Sequence, residues 1–412
     1  MSTTSIAQAD PEGPLFARLT AAPATPDDLR CSAELDELIE VLKSSSELPS
    51  TDLSLFEEPQ VRSLLSGIFA GSTYLSGLIR TEPNRLLRLL ASEPEAHFAT
   101  LRAGLLRDMS AAATDPEAMR LLRRFKSEVA LLTALTDIGG IWPPMKVTEV
   151  LTETTDAALQ TAVRYLLRKA TEKGDWLTDT PQTPELGSGY IVLAMGKYGA
   201  GELNYSSDID LIVFYERSLA RLKKGVEFQP FFVRLTRELV KLIDERTADG
   251  YVFRTDLRLR PDAGATQLAI STDAALQYYE SFGQNWERAA LIKARAVAGD
   301  IPAGEAILQE LEPFIWRRYL DFAAIADVHS IKRQIQAYRG HGTLAVAGHN
   351  IKLGRGGIRE IEFFVQTQQL IAGGRQPDLR GRKTLEMLDA LESIGWICLL
   401  YTSDAADDLG SG

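Results

Sequence analysis

The sequence predicts an α+β fold: a small mixed sheet backed by helices, with helical subdomains before and after it in the chain. Three observations carry this. Two short apolar runs, Tyr190–Met195 and Leu211–Phe214, flank a loop with glycines at Gly196, Gly199 and Gly201, which is the pattern of buried strands. A helical stripe over Phe228–Arg246, with Phe231, Leu235, Leu239, Leu242 and Ile243 on one face, leads to an alternating segment, Tyr251–Arg260, so one helix joins two strands able to pair in one sheet. On either side of this block the apolar spacing is helical.

Taken in order, residues 1–30 are rich in Ala, Thr, Pro and Asp without periodicity and are expected to form a mobile leading segment. Residues 31–146 read as a helical subdomain. Ser32 is placed as the N-cap of a helix whose Leu35, Leu38, Ile39 and Leu42 fall at i, i+3, i+4 and i+7. Val61, Leu64, Leu65, Ile68 and Phe69 form a second stripe, Leu86, Leu87, Leu89 and Leu90 a third, and Arg120–Leu135 a further amphipathic run. Pro143 and Pro144 end that region, because neither continues a helix. Residues 147–300 form the α+β domain, opened by a helix over Thr148–Thr171 with Val150, Leu151, Leu159, Val163 and Leu167 inward. Ser271 or Thr272 caps the next helical stretch. Residues 301–396 read as a C-terminal helical bundle, with helices over Ile307–Tyr319, Ala323–Tyr338 and Ile358–Ile371. The glycines of Gly354–Gly357 either bring backbone near the cleft or only feed the last of these helices. After Trp396 the helical pattern stops, and residues 397–412 are expected to be a non-native tail.

The chemistry concentrates between the apolar runs. Asp208 and Asp210 open the second strand two residues apart, so they project to the same side with alpha carbons about 7 Å apart. Two converging carboxylates suit magnesium, which takes hard oxygen ligands and leaves positions for water and phosphate. The loop glycines, Gly196 foremost, let backbone N–H groups approach a phosphate, and Lys197, Ser206 and Ser207 supply further donors. Neither a P-loop nor a dinucleotide fingerprint is present. A third carboxylate, Asp256, lies on the alternating segment, with Arg258 and Arg260 following on the same face if the chain stays extended. The unit as a whole points to a metal-dependent nucleotidyltransferase centre. Lys293 and Arg295 share a face only if their segment is extended, and by spacing alone they read as a solvated basic face. The histidines His97, His329, His341 and His349 show no metal spacing or nucleophile partner.

The segments LAMGKYGAGELNYSSDIDLIVFYE, DLRLRPDAGATQLAIS, YYESFGQNWERAALIKARAVAGD and IKLGRGGIREIEFFVQ, in this order, resemble the bacterial bifunctional glutamine synthetase adenylyltransferase/adenylyl-removing family, over roughly Asp28–Trp396. The chain is similar to the N-terminal, adenylyl-removing half of its members. The resemblance implies that orthophosphate attacks the AMP on an adenylylated tyrosine of glutamine synthetase and releases ADP. It implies two magnesium ions on Asp208, Asp210 and Asp256, and nucleotide or phosphate contacts from Gly196, Lys197, Ser206, Ser207, Arg258, Arg260, Lys293 and Arg295. A PII-type nitrogen-signal protein is the expected regulatory partner. Forward AMP transfer to a protein or small acceptor, and a catalytically silent regulatory module, are the competing readings.

Composition narrows the classes further. The 412 residues give room for two to three domains, and 45% hydrophobic with 25% charged residues is ordinary for a globular chain. A formal charge of −11 argues against nucleic acid as the partner of the whole chain. Cys31 and Cys398 are too few for a disulfide framework or a zinc site, and no run approaches a membrane span, so the expected compartment is the cytoplasm.

Overall fold

The computed structural model describes residues 12–24, 29–44, 50–317, 350–352, 354 and 356–397. Contacts divide the chain into two compact units: residues 1–165 with 203–207 and 241–253, and residues 166–202 with 208–240 and 254–412.

The first unit is helical. It holds α1 (Leu29–Ser44), α2 (Pro59–Gly71), α3 (Thr73–Thr81), α4 (Pro83–Ala91), α5 (Pro94–Ala111), α6 (Asp115–Ile138) and most of α7 (Pro144–Glu172). Four of these begin on a proline, whose fixed φ suits the first turn and whose missing donor would be unpaired there anyway. Pro144 therefore starts a helix as well as ending a loop, and α7 opens four residues before the expected Thr148. The expected cap at Ser32 is also corrected, because α1 already runs from Leu29. Of the second and third predicted stripes, Val61, Leu64, Leu65, Ile68, Leu86, Leu87, Leu89 and Leu90 are buried, and Phe69 is half-buried. Arg123 on α6 is fully buried as well. Its guanidinium donates to the carbonyls of Met119 (2.9 Å), Leu242 (3.0 Å), Gly250 (2.9 Å) and Glu245, which satisfies a charge that burial would otherwise make costly.

The second unit is built on a mixed five-stranded sheet. Its strands are β1 (Tyr190–Ala194), β2 (Ile209–Tyr215), β3 (Thr255–Asp256), β4 (Ala269–Ser271) and β5 (Arg295–Gly299), in the order β3-β2-β1-β5 with β4 also on β2. β1 is antiparallel to β2 and β5, whereas β3 and β4 run parallel to β2. The chain from β2 passes through α9 (Phe228–Asp244) before returning as β3, the helix-linked parallel pairing that the sequence predicts.

Helices on both faces explain why β1 and β2 read as continuous apolar runs rather than as alternation. On one face Tyr190 and Tyr215, partners across β1 and β2, stack on Phe232 of α9 with ring centroids 5.8 and 4.6 Å apart. On the other, Ile191, Leu193, Ile212 and Phe214 share a core with α10 (Thr272–Ser281), α11 (Asn285–Leu291), α12 (Ile301–Glu310) and α13 (Glu312–Ile315). Ser271 caps α10, its hydroxyl accepting from the Ala274 N–H at 3.4 Å. The chain after residue 300 joins this same core through Ile307, Leu308, Leu311 and Ile315, and no boundary between compact units falls there. Two further helices follow, α14 (Ile358–Ala372) and α15 (Thr384–Ser393), the second of them unmarked by the sequence pattern. The expected helix over Ala323–Tyr338 and the segment after Ile397 lie outside the described residues. Among the described residues no helix is long and apolar enough to cross a membrane.

Candidate active site

The site assembles where β2 leaves the glycine-rich turn. β1 ends at Ala194, and Gly196–Gly199 forms a single short helical turn, α8. The Met195 N–H donates to the Asp210 carbonyl at 2.9 Å, which brings the turn against the strand. Gly196 has a φ of +56°, and a Cβ there would stand 3.2 Å from the Asp210 carboxylate. At Gly199 a Cβ would lie 2.0 Å from the Lys293 carbonyl oxygen and 2.5 Å from that of Ala194, so only glycine lets the three backbones approach. Gly199→Ala is expected to cost about 3 kcal/mol through forced backbone displacement, measured as a lower denaturation midpoint. An unchanged midpoint would refute this close packing.

Asp210 and Asp256 are partners in the parallel β2–β3 register, so their side chains leave the sheet on the same face, with Asp208 two positions before Asp210. The three predicted carboxylates are thus gathered at one sheet end. Burial first, then the negative charges of Asp256 and Asp208, push the Asp210 carboxyl up to about 6. Arg258 and Arg359 oppose that rise. Asp256 goes the other way, held below the usual carboxylate range chiefly by its hydrogen bond with Arg258. Arg258 donates to Asp256 through its backbone N–H at 2.8 Å and through Nε at 3.0 Å. Arg254 Nε donates to Asp208 Oδ1. Among the described residues no three Asp, Glu, His or Cys side chains already stand in a metal-binding arrangement. Asp208 and Asp256 are each turned to an arginine instead.

Several expected positions shift. β3 ends at Asp256, so Arg258 and Arg260 do not follow it along an extended strand. Arg258 folds back on Asp256 and stays exposed. Arg260 turns to the backbone, donating to the carbonyls of Leu257 (2.8 Å), Ala263 (2.7 Å), Thr266 (3.2 Å) and Gln267 (3.1 Å). It fastens the loop after β3. Arg260→Lys is accordingly expected to lower the melting temperature while leaving the phosphate dependence of turnover unaltered, because lysine lacks the planar fork that reaches several carbonyls. A raised Michaelis constant for phosphate with unaltered stability would reverse that assignment.

Lys293 and Arg295 do not form an extended pair either, since β5 begins only at Arg295. Lys293 is 3% exposed, with Nζ 3.0 Å from Glu362, 3.0 Å from the Thr384 hydroxyl and 3.7 Å from Glu202. It closes a buried polar cluster that ties the end of the glycine-rich loop to α14 and α15. Arg295 pairs with Ala194 across β1 and β5, lies over the Tyr198 ring at 5.6 Å and donates to the Tyr198 carbonyl at 3.4 Å, which sets it beside the turn. Lys197 sits on the turn itself, half-buried. Ser206 and Ser207 belong to the first unit; Ser206 has a φ of 52°, uncommon for a residue with a Cβ, and the Ser207 N–H donates to Asn204. His97 is held by Glu128 at 3.3 Å, a structural role, while the other three histidines lie outside the described residues.

Sequence reasoning passed over Arg254, Arg359, Glu202 and Glu362. Arg254 was findable, because it stands two residues before Asp256 in the alternating segment. The other three depend on elements far apart in sequence.

A family model described as glutamate–ammonia ligase adenylyltransferase matches residues 62–310, and one described as GlnD PII-uridylyltransferase matches residues 329–408. The second match runs past Trp396, where the resemblance read from the sequence ends. The chain is 53% identical over 411 residues to the bifunctional glutamine synthetase adenylyltransferase/adenylyl-removing enzyme of Bradyrhizobium diazoefficiens, covering 98% of this chain and 41% of that protein. The enzyme of the same name from a Bradyrhizobium species is 53% identical over 100% of this chain and 41% of its own length. That of Rhodopseudomonas palustris is 56% identical over 83% of this chain and 34% of its own. The chain therefore spans about two fifths of the length of the Bradyrhizobium relatives.

Proposed function

The chain belongs to the glutamate–ammonia ligase adenylyltransferase family, and from that premise we propose that it removes AMP from glutamine synthetase by phosphorolysis. Orthophosphate attacks the phosphorus of an adenylylated tyrosine, the bond to the tyrosine oxygen breaks, and ADP leaves with the phosphate oxygen that attacked. The observation that best supports this is the meeting of Asp210 and Asp256 in parallel register, beside the Gly196–Gly199 turn and two residues from Asp208.

The main obstacle is charge. A phosphate dianion approaches a phosphodiester that is already anionic, so cations matter more than a general base. Asp208, Asp210 and Asp256 offer only carboxylate oxygens, the donor type magnesium prefers, and the charge repulsion that adds to burial in raising Asp210 is relieved by a cation. We assign these three to holding the metal. When bound, magnesium supplies positive charge to the phosphoryl oxygens and to the departing phenolate. A phenol of pKa about 10 is a workable leaving group under such conditions. Lys197, Arg258 and Arg295 are the side chains we assign to the incoming phosphate, and the Gly196 backbone to the AMP phosphate. Arg260 and Lys293 we assign to holding the loops around them.

The expected partner is adenylylated glutamine synthetase, in the cytoplasm, and the match over residues 329–408 to a PII-uridylyltransferase model supports regulation linked to a PII-type protein. The test is incubation of the 412-residue chain with adenylylated glutamine synthetase, orthophosphate and magnesium. Phosphate-dependent ADP release supports the reading. Pyrophosphate release from ATP with unmodified glutamine synthetase, and no ADP from the modified form, would replace it with the forward reaction.

A further inference from the structure

Asp208 and Asp256 each carry a guanidinium, but the two pairings differ in kind. Arg258 is two residues from Asp256 and binds it partly through its own backbone N–H, a local turn. Arg254 reaches Asp208 from the residue just before β3, across 46 positions of sequence. Its carbonyl accepts the Ile209 N–H at 2.9 Å, a backbone bond that does not involve its side chain. The side chains of this pair are 52% and 55% exposed, and an exposed ion pair is weak enough for a divalent cation to displace.

Displacement changes the charge of the site. With Arg254 on Asp208 and Arg258 on Asp256, the site offers an incoming anion little surplus positive charge. Once a divalent cation takes the carboxylates, the same guanidinium becomes surplus positive charge beside them. Its planar fork fits two oxygens of a phosphate.

We propose that Arg254 is an exchange residue: it competes with metal for Asp208, and on displacement it binds the anionic phosphate group. This rests on the metal reading above. It makes anion binding conditional on metal, and by linkage the phosphate strengthens metal binding by the same factor. Arg254 thus orders the two events: it opposes metal binding when phosphate is absent and holds phosphate once the metal has displaced it.

The test is calorimetric titration of the 412-residue chain with magnesium, and separately with manganese, and then with inorganic phosphate at saturating metal. In the absence of phosphate, Arg254→Ala should bind metal about two- to five-fold more tightly than the natural chain, the range an exposed competing ion pair spans. At saturating metal it should bind phosphate about tenfold more weakly, as expected for loss of a charged hydrogen-bonding partner. Arg254→Lys keeps the competing charge but not the fork, so its metal affinity should stay near that of the natural chain while phosphate weakens. Circular dichroism of each variant checks that the sheet has formed. If the natural chain binds metal and Arg254→Ala binds it no more tightly, or phosphate is unaffected, the exchange role is overturned while the metal centre stands. If the natural chain binds neither cation, the metal reading itself fails.

Discussion

Asp210→Asn is expected to lose phosphorolytic activity by about 10²-fold or more, on the order of 3 kcal/mol of transition-state stabilisation, and at the same time to make the metal-free chain more stable. The two effects have one origin. Asp210 is held among Asp208 and Asp256 in a half-buried position that pushes its carboxyl up to about 6. The folded state therefore binds this proton more tightly than the unfolded chain does, and ionisation costs folding energy. Stability of the metal-free chain should accordingly fall as pH rises from about 4 through 6, and remain lower above that window. A displacement of about two pH units, reduced for partial exposure and solvent screening, corresponds to about 1–2 kcal/mol. Asn removes the ionisation and with it this part of the pH dependence. Asp256, lowered by Arg258, has the opposite sign and acts at more acid pH. Thermal melts of both chains across this range, with and without magnesium, measure it. Equal slopes for the two metal-free chains would show that Asp210 is not the strained carboxylate.

Lys293→Ala should destabilise the second unit by about 3 kcal/mol. Removing one member of a buried ion cluster leaves the others charged without compensation, here Glu202 and Glu362. Glu202 also accepts the Thr384 N–H at 3.1 Å, a contact that remains in the variant but loses the cation beside it. Urea denaturation reads the loss directly. Lys293→Arg, which keeps the charge, should retain the fold at a smaller cost, and its Michaelis constant for phosphate should equal that of the natural chain. A phosphate dependence that shifted in Lys293→Arg without any loss of stability would return Lys293 to the phosphate site.

The parts legible in the sequence are those in which local pattern and tertiary environment agree. β1 and β2 are buried on both faces, so their apolar runs were visible, and the stripe Val61–Ile68 is core as its spacing implied. Asp208, Asp210 and Asp256 could be grouped because alternation along β2 and a single connecting helix were enough to bring them to one edge. β3 and β4 are two and three residues long, too short for periodicity to register. The fate of Arg260 was hidden for a related reason: the alternation of Tyr251–Arg260 predicts a longer strand, whereas the chain turns after Asp256 to let the guanidinium satisfy carbonyls of its own loop. Lys293 read as a surface charge because its acidic partners are Glu202, at the end of the loop, and Glu362, on α14. Such a cluster leaves no spacing signal.

The third carboxylate hangs on the slightest strand of the sheet. β3 pairs with β2 over only two residue positions, Thr255 and Asp256. Segments with so few backbone bonds open at free energies well below that of global unfolding. Amide exchange should therefore be fast at Asp256 and slow along β1, which is paired with β2 on one side and β5 on the other. Asp256 would then spend part of its time away from Asp208 and Asp210, and whatever cation joins the three closes that opening. Under the proposed metal role, a bound cation should therefore slow exchange at Asp256 more than it slows exchange along β1.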